Sequence, residues 1–234
     1  MKSLALFAVA GIVVILSLGF TSCTATDVVA KVANTSFKAV ADASGNRVAW
    51  SSSDETWSLS SPAGDEVLFS ADFARNGVAS GPADVQFRFD AAPFIAAGLL
   101  IENLPQATGI TYELKDGRFL LRFELGTETF ESGAQKSLEA TFAQIVKTQR
   151  DRIGYHAALA HYGIELGNGN MFEWAKDLSK NDKDIVWVLN PEPFIRAGVD
   201  PAKIEGWVFA KVETMDEAGK TVFVDKLLKP FDIK

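Results

Sequence analysis

Two hydrophobic patterns run through this chain, one typical of helices and one typical of strands, and each occurs twice. Apolar residues first recur every three or four positions, which predicts a helix that ends just before Gly45. The same pattern returns 105 residues later and predicts a second helix that ends near Arg152. The first helical set is Val29, Ala33, Phe37 and Val40, and the second is Leu138, Phe142, Ile145 and Val146.

A predicted hairpin follows each helix. Strand-forming residues at 57–60 and 67–70 flank the sequence Ser-Pro-Ala-Gly-Asp at 61–65, which is a strong turn signal. In the second half the turn is Gly-Asn-Gly-Asn at 167–170. The spacing of 105 residues still holds here, so the first hairpin and the second correspond position by position.

A strand that leads into a short helix comes next. Residues 84–99 and 184–199 align without a gap, now at a spacing of 100. Apolar and polar residues alternate in the first strand, whereas the second is apolar throughout, which predicts burial on both faces or a central place at the junction of the repeats. Pro93 and Pro193 suit the first helical turn, and Gly98 and Gly198 end the helix.

Each half closes with a second hairpin. Alternating residues at 110–114 and 119–125 flank Asp116-Gly117, which is among the clearest two-residue turn signals. In the second half a longer loop at 216–219 takes its place.

The repetition predicts an α+β protein made by tandem duplication of a unit of ~100 residues. Each unit has the order helix, β-hairpin, strand, short helix, β-hairpin, with a mostly antiparallel sheet and a helix packed on one face. The predicted repeats are residues 28–126 and 133–234. Whether the two repeats share one sheet or form two stays open.

The first 22 residues have the order of a targeting signal: a positive Lys2, an apolar run and small residues before Cys23. Phe20-Thr21-Ser22-Cys23 resembles the lipobox of a bacterial lipoprotein signal peptide, with Phe in place of the usual Leu. The resemblance implies cleavage before Cys23, lipidation of that cysteine and a short tether at 23–27. A plain secretory signal and an uncleaved anchor are the alternatives.

The resemblance also implies a location in the bacterial cell envelope, facing the periplasm or the exterior. Thr24 follows the cysteine, and by analogy with known sorting rules the absence of Asp there permits transfer to an outer membrane, if the cell has one. An envelope protein or a glycan is then the expected partner.

Composition narrows the partners further. The formal net charge of −7 argues against nucleic acid, which requires a basic surface, and against electrostatic docking on anionic lipid. Membrane association is therefore expected through the lipid on Cys23. Since this cysteine is the only one, no disulfide can form within the chain.

The sequence contains none of the common catalytic or nucleotide-binding motifs, so no catalytic residue, cofactor or metal is predicted. His156 and His161 could form a metal pair with Asp151 or Glu165, but ordinary histidines are the favoured interpretation. Two aspartates that match between the halves allow a carboxylate dyad, although turn capping is favoured for them. They are Asp72 and Asp177.

Four aromatic residues at matching places are candidates for stacking on a sugar ring or a flat ligand, with core packing as the favoured alternative. They are Trp50, Trp57, Tyr155 and Tyr162.

Three functions follow, in order of preference. The first is a non-enzymatic envelope lipoprotein that binds or assembles with another component. The second is a carrier that holds an apolar ligand in a cavity within or between the repeats. The third is a glycan or peptide hydrolase that uses Asp72 and Asp177, or His156.

Overall fold

The computed structural model describes residues 13–14, 23–53, 55–70, 85–105, 107–125, 136–156, 159–178, 183–215 and 220–233. Most of the predicted signal peptide, together with Asp72, lies outside these ranges. Within them, no helix combines the length and the apolar character that crossing a membrane requires.

Within the described ranges, the first half has two α-helices and six strands, preceded by a two-residue strand in the predicted leader. The elements are β1 (Val13–Val14), α1 (Cys23–Ser44), β2 (Val48–Ser51), β3 (Thr56–Ser60), β4 (Glu66–Ser70), β5 (Val85–Asp90), α2 (Ala92–Ala96), β6 (Ile110–Lys115) and β7 (Arg118–Phe123). Short 3-10 helices lie at Gly45–Arg47 and Ile101–Asn103.

The second half repeats this order. Its elements are α3 (Leu138–Thr148), β8 (Ile153–His156), β9 (His161–Gly167), β10 (Asn170–Ala175), β11 (Ile185–Leu189), α4 (Glu192–Arg196), β12 (Val208–Met215) and β13 (Thr221–Phe231), with 3-10 helices at Arg150–Arg152 and Pro201–Lys203. The predicted order is confirmed, and each half gains one strand, β2 or β8, that the sequence pattern did not assign. Four residues directly after a helix are too few to display an alternation.

The strands form two separate sheets with the same internal order. The first sheet has the order β2-β3-β4-β5-β7-β6, and the second has β8-β9-β10-β11-β13-β12, with β1 beside β12. Among the described pairs, β1 with β12 is parallel and the others are antiparallel. The predicted α+β class with mostly antiparallel sheets is therefore confirmed.

The long helices pack across the two halves. Helix α1 contacts β8 and β10 of the second sheet, and α3 contacts β3 and β4 of the first. The helices also contact each other, since the Phe37 and Phe142 rings stack with centroids 3.6 Å apart. The indole nitrogen of Trp174 on β10 donates a hydrogen bond of 2.8 Å to Ser36 Oγ on α1. Each half thus supplies a helix to the other half's sheet.

The larger hydrophobic core of the described residues joins the halves, and matching residues meet each other within it. Phe87 of β5 stacks on Trp187 of β11 at 4.7 Å, with the ring planes 1° apart. The Phe94 and Phe194 rings of α2 and α4 lie 5.1 Å apart. Contacts between equivalent residues are the mark of a two-fold axis, as in a symmetric dimer. The two repeats therefore form one folded unit around a pseudo-two-fold axis.

Candidate functional site

The two sheets share an apolar inner face but differ on the outer face. In the first sheet the outer face carries polar contacts, among them the Arg88–Glu66 ion pair of 3.2 Å and a 3.0 Å hydrogen bond from Arg122 to Gln86. In the second sheet the outer face carries a separate apolar cluster of Met171, Val186, Val188, Val212 and Leu228. What one repeat has and the other lacks is not required by the shared fold. The outer face of the second sheet is therefore the candidate location of a functional site.

A buried carboxylate lies between two buried histidines on this face. His156 ends β8, His161 begins β9, and the two are register partners across the hairpin. His156 Nδ1 lies 3.1 Å from Glu173 Oε1 on β10, and His161 Nδ1 lies 3.7 Å from Glu173 Oε2. All three residues are at most 2% exposed. We call this group the His-Glu-His cluster.

A glycine makes room for the cluster. Gly163 of β9 lies directly opposite Glu173 in the β9–β10 ladder. A β-carbon at Gly163 would lie 3.2 Å from Glu173 Cγ and 3.2 Å from Met171 Cε. The missing side chain therefore leaves the space through which Glu173 extends over β9. The counterparts in the first repeat are Ser51, Thr56, Ser58 and Leu68 for His156, His161, Gly163 and Glu173.

The electrostatics favour an ionised Glu173. Burial raises the pKa of Glu173, but the two neighbouring imidazoles lower it more, so its pKa lies below the ordinary value. Burial lowers the pKa of Lys226 on β13. The negative charges of Glu165 and Glu173 raise this pKa, but by less than burial lowers it. Its Nζ donates a hydrogen bond to the carbonyl oxygen of Gly169.

The geometry suits the sharing of protons. His156 Nδ1, both ring nitrogens of His161 and Glu173 Oε2 are buried without a partner in hydrogen-bond geometry. Each imidazole has a nitrogen that can carry a proton toward the carboxylate, so a carboxylate between two imidazoles can share protons with both. Among the described residues, no group of three His, Cys, Asp or Glu is arranged to hold a metal ion. Glu165, an alternative metal partner, instead pairs with Arg152 at 2.9 Å.

The four predicted aromatic residues form two matching pairs. Trp50 and Trp57 face each other on β2 and β3 with ring centroids 5.3 Å apart, and Tyr155 and Tyr162 do so on β8 and β9 at 4.9 Å. Tyr162 is buried, whereas Trp57 and Tyr155 are half-buried against the core. Burial, and then the neighbouring Tyr155, raise the pKa of Tyr162. Ligand binding by these residues stays a prediction.

The residues proposed for hydrolysis are not shown to converge. Asp177 lies exposed on the bend after β10, and Asp72 is outside the described residues. His156 is buried and faces Glu173. Cys23, the predicted lipidation site, is the first residue of α1, so the helix begins within the segment predicted as a tether.

Glu173 was not predicted as a site residue, although two features distinguish it from its neighbours. It is a charged residue in a strand that is buried along its whole length. The spacing of 105 residues also places it opposite Leu68, an apolar residue of the first repeat. What the sequence alone does not provide is the strand register that brings it to the histidines.

The seam between the repeats is filled by aromatic rings, but the first repeat carries a cleft of about 440 Å³ beside β6. Polar atoms make up more of its lining surface than apolar atoms, although most of its lining residues are apolar in type. They are Ile101, Leu104, Pro105, Ala107, Ile110, Thr111 and Tyr112. Burial raises the pKa of Tyr112 to about 12.

Comparison of the chain with family models, with curated proteins and with solved structures finds no match.

Proposed function

We propose that this protein is a non-enzymatic binding or assembly protein of the bacterial envelope, anchored by lipid on Cys23, whose partner binds the ribbon formed by β12 and β13. The observation that carries the proposal is the exposure of aromatic side chains on this ribbon. We define the ribbon as residues 210–215 paired with 221–226, together with Phe209 at its base.

The ribbon extends past the rest of the second sheet. Strand β11 pairs with β13 only from Leu227 to Phe231, so the residues before Leu227 have β12 as their partner but not β11. Phe223 is 63% exposed and Phe209 is 37% exposed. The strand register places both on one face, with the Lys211–Asp225 ion pair of 3.0 Å between them. Exposed aromatic residues beside charged ones are typical of binding surfaces.

The edge of the ribbon supports the same proposal. Val13 and Val14 of the leader pair with Glu213 and Thr214 at this edge. Cleavage before Cys23 removes this neighbour and leaves the backbone groups of β12 open in the processed protein. An open strand edge is a common acceptor for a partner strand. The first repeat ends in a short hairpin closed by Asp116-Gly117, so the long ribbon is particular to the second repeat.

Site-specific photo-crosslinking in the producing cells tests the ribbon. A photoreactive amino acid at Phe223 is expected to trap a reproducible protein partner. The matched control is Leu114 of β6, which corresponds to Phe209 and is 38% exposed on the first repeat. Equal products at both positions, or none at Phe223, would count against a ribbon interface. Phe223→Ser should also reduce recovery of that partner from solubilised envelope, whereas Leu114→Ser should not.

Fractionation tests the anchor separately. Cys23→Ser removes the only thiol and should move the protein from the membrane to the soluble fraction, or leave it as uncleaved precursor. In the wild type, mass spectrometry should find acyl chains on Cys23. A wild-type chain without lipid on Cys23 would remove the anchor from the proposal but leave the ribbon interface standing.

A carrier of an apolar ligand is the second candidate, favoured by the cleft beside β6. Its volume of about 440 Å³ is within the range of small-molecule sites. Ala107→Trp should fill the cleft and abolish binding of an apolar fluorescent probe. If the wild type does not bind the probe, the cleft has no carrier role.

A further inference from the structure

The net charge of the His-Glu-His cluster depends on how many protons its two histidines carry. With Glu173 ionised and both imidazoles neutral, the buried cluster has a charge of minus one. A single proton on either His156 or His161 makes it neutral. A second proton makes it positive, and a net charge in a buried site is unfavourable because it is removed from water without a partner.

The charged groups around the cluster do not offset the positive charge that a second proton brings. Glu165 is the carboxylate of β9, but it is already paired with Arg152. Lys226 approaches from β13 and adds positive charge. The residue of β11 beside Glu173 is the apolar Val186. A doubly protonated cluster is therefore stable only if this part of the sheet opens to water.

We propose that the His-Glu-His cluster is a pH-sensitive latch that keeps the outer face of the second sheet closed near neutral pH and opens it in acid. The outer face of the second sheet carries the apolar cluster of Met171 and Val186, which lies next to the His-Glu-His cluster. Met171 lies two residues from Glu173 on β10, and Val186 is the register partner of Glu173 on β11. Opening exposes these side chains, so acid changes what the second sheet presents to its surroundings.

The first repeat shows that the fold does not need the latch. Ser51, Thr56 and Leu68 stand at the three equivalent positions on β2, β3 and β4, in a sheet of the same order. The triple variant His156→Ser, His161→Thr, Glu173→Leu therefore copies a side-chain set that this architecture already accepts. It also removes both histidines of the chain, so no imidazole remains to titrate.

Met171 is the reporter for opening, because it is 8% exposed and lies beside the cluster. The full chain in detergent is treated with peroxide at a series of pH values, and sulfoxide in the Met171 peptide is measured by mass spectrometry, with free methionine as the chemical control. If opening takes up one proton, the oxidation rate rises by about tenfold for each pH unit over which the open form binds that proton and the closed form does not. The triple variant is expected to show no such rise.

Circular dichroism at each pH establishes that the fold as a whole persists. A wild type whose Met171 oxidation is independent of pH overturns the proposal, as does an equal rise in the triple variant. Should the triple variant fail to fold, His161→Gln replaces it, because it keeps the His156–Glu173 pair and removes the second proton site. The rate of Met171 oxidation in this variant is expected to be independent of pH. A rise in acid equal to that of the wild type would again overturn the proposal.

Discussion

Gly98 and Gly198 pack backbone against backbone where the two repeats meet. A β-carbon on Gly98 would lie 2.7 Å from the carbonyl oxygen of Gly198, and one on Gly198 would lie 2.9 Å from that of Gly98. Hydrogen bonds cross the same point in both directions, from Leu100 N to Ala197 O at 2.8 Å and from Asp200 N to Ala97 O at 2.9 Å. Each glycine ends its short helix and also marks the pseudo-two-fold axis.

Alanine at either glycine should therefore destabilise the whole protein. Gly98 has φ of +106° and Gly198 has φ of +94°, values that alanine adopts only with strain. Strain and the backbone clash together should lower the free energy of unfolding by about 2–4 kcal/mol. Urea denaturation gives the value.

Gly206 provides the matched control. It has φ of +78°, but a β-carbon there would meet nothing within 4 Å. Gly206→Ala should then cost only the conformational part, about 1 kcal/mol. Equal losses at Gly98 and Gly206 would mean that the close approach between the repeats contributes nothing.

The sequence was most informative where local chemistry decides the structure. Proline and glycine placed the short helices correctly, as α2 and α4 show. Asp90 and Asn190 accept hydrogen bonds from the first-turn amides of Ala92 and Glu192. Turns, caps and strand alternation are encoded within a few residues, so they can be read without knowing the fold.

Features that depend on contacts between residues far apart in the sequence could not be predicted from local patterns. Periodicity identified the buried face of α1 but not the sheet that covers it, and that sheet belongs to the other repeat. In the same way, Glu173 and the histidines come together only through the register of β8, β9 and β10. The two repeats match in sequence, but which elements pack together is decided by the shared core.

The exchange of helices predicts that neither half folds alone. Residues 24–126 and residues 133–234, produced separately, should each be largely unfolded or self-associated, because the helix of each half packs on the other half's sheet. Mixing the two should restore the near-ultraviolet circular dichroism of the intact chain. Two halves that are each folded and monomeric would contradict a shared core.

A buried ion pair between the repeats gives a further prediction. Lys229 Nζ of β13 lies 2.6 Å from Asp65 Oδ2, and Asp65 is 2% exposed. Asp65 Oδ1 also accepts a hydrogen bond from Asp90 N, a role that Asn170 Oδ1 fills for Asn190 N in the second repeat. Asp65→Asn should therefore keep this turn while leaving Lys229 unpaired.

Loss of the partner charge should lower the free energy of unfolding by about 2–3 kcal/mol, because Lys229 is largely buried. Adding Lys229→Met removes the unpaired charge and should restore at least half of the loss. Urea denaturation of the two variants and the wild type measures both effects. A loss below about 0.5 kcal/mol for Asp65→Asn would place the pair among weak surface contacts.

Stability at high pH should depend on Tyr112. A tyrosine in the unfolded chain loses its proton near pH 10.0, whereas burial raises the pKa of Tyr112 to about 12. Between these values the unfolded chain is ionised and the folded protein is not, so stability falls as the pH rises from 10 to 12 and is unaffected below that range. Tyr112→Phe removes this part of the fall.

Denaturation from about pH 9 to 12 should show the free energy of unfolding of Tyr112→Phe increasing relative to that of the wild type, with Tyr155→Phe as the control. A difference between Tyr112→Phe and wild type that stays constant over the range would show that the hydroxyl of Tyr112 ionises as readily in the folded protein as in the unfolded chain.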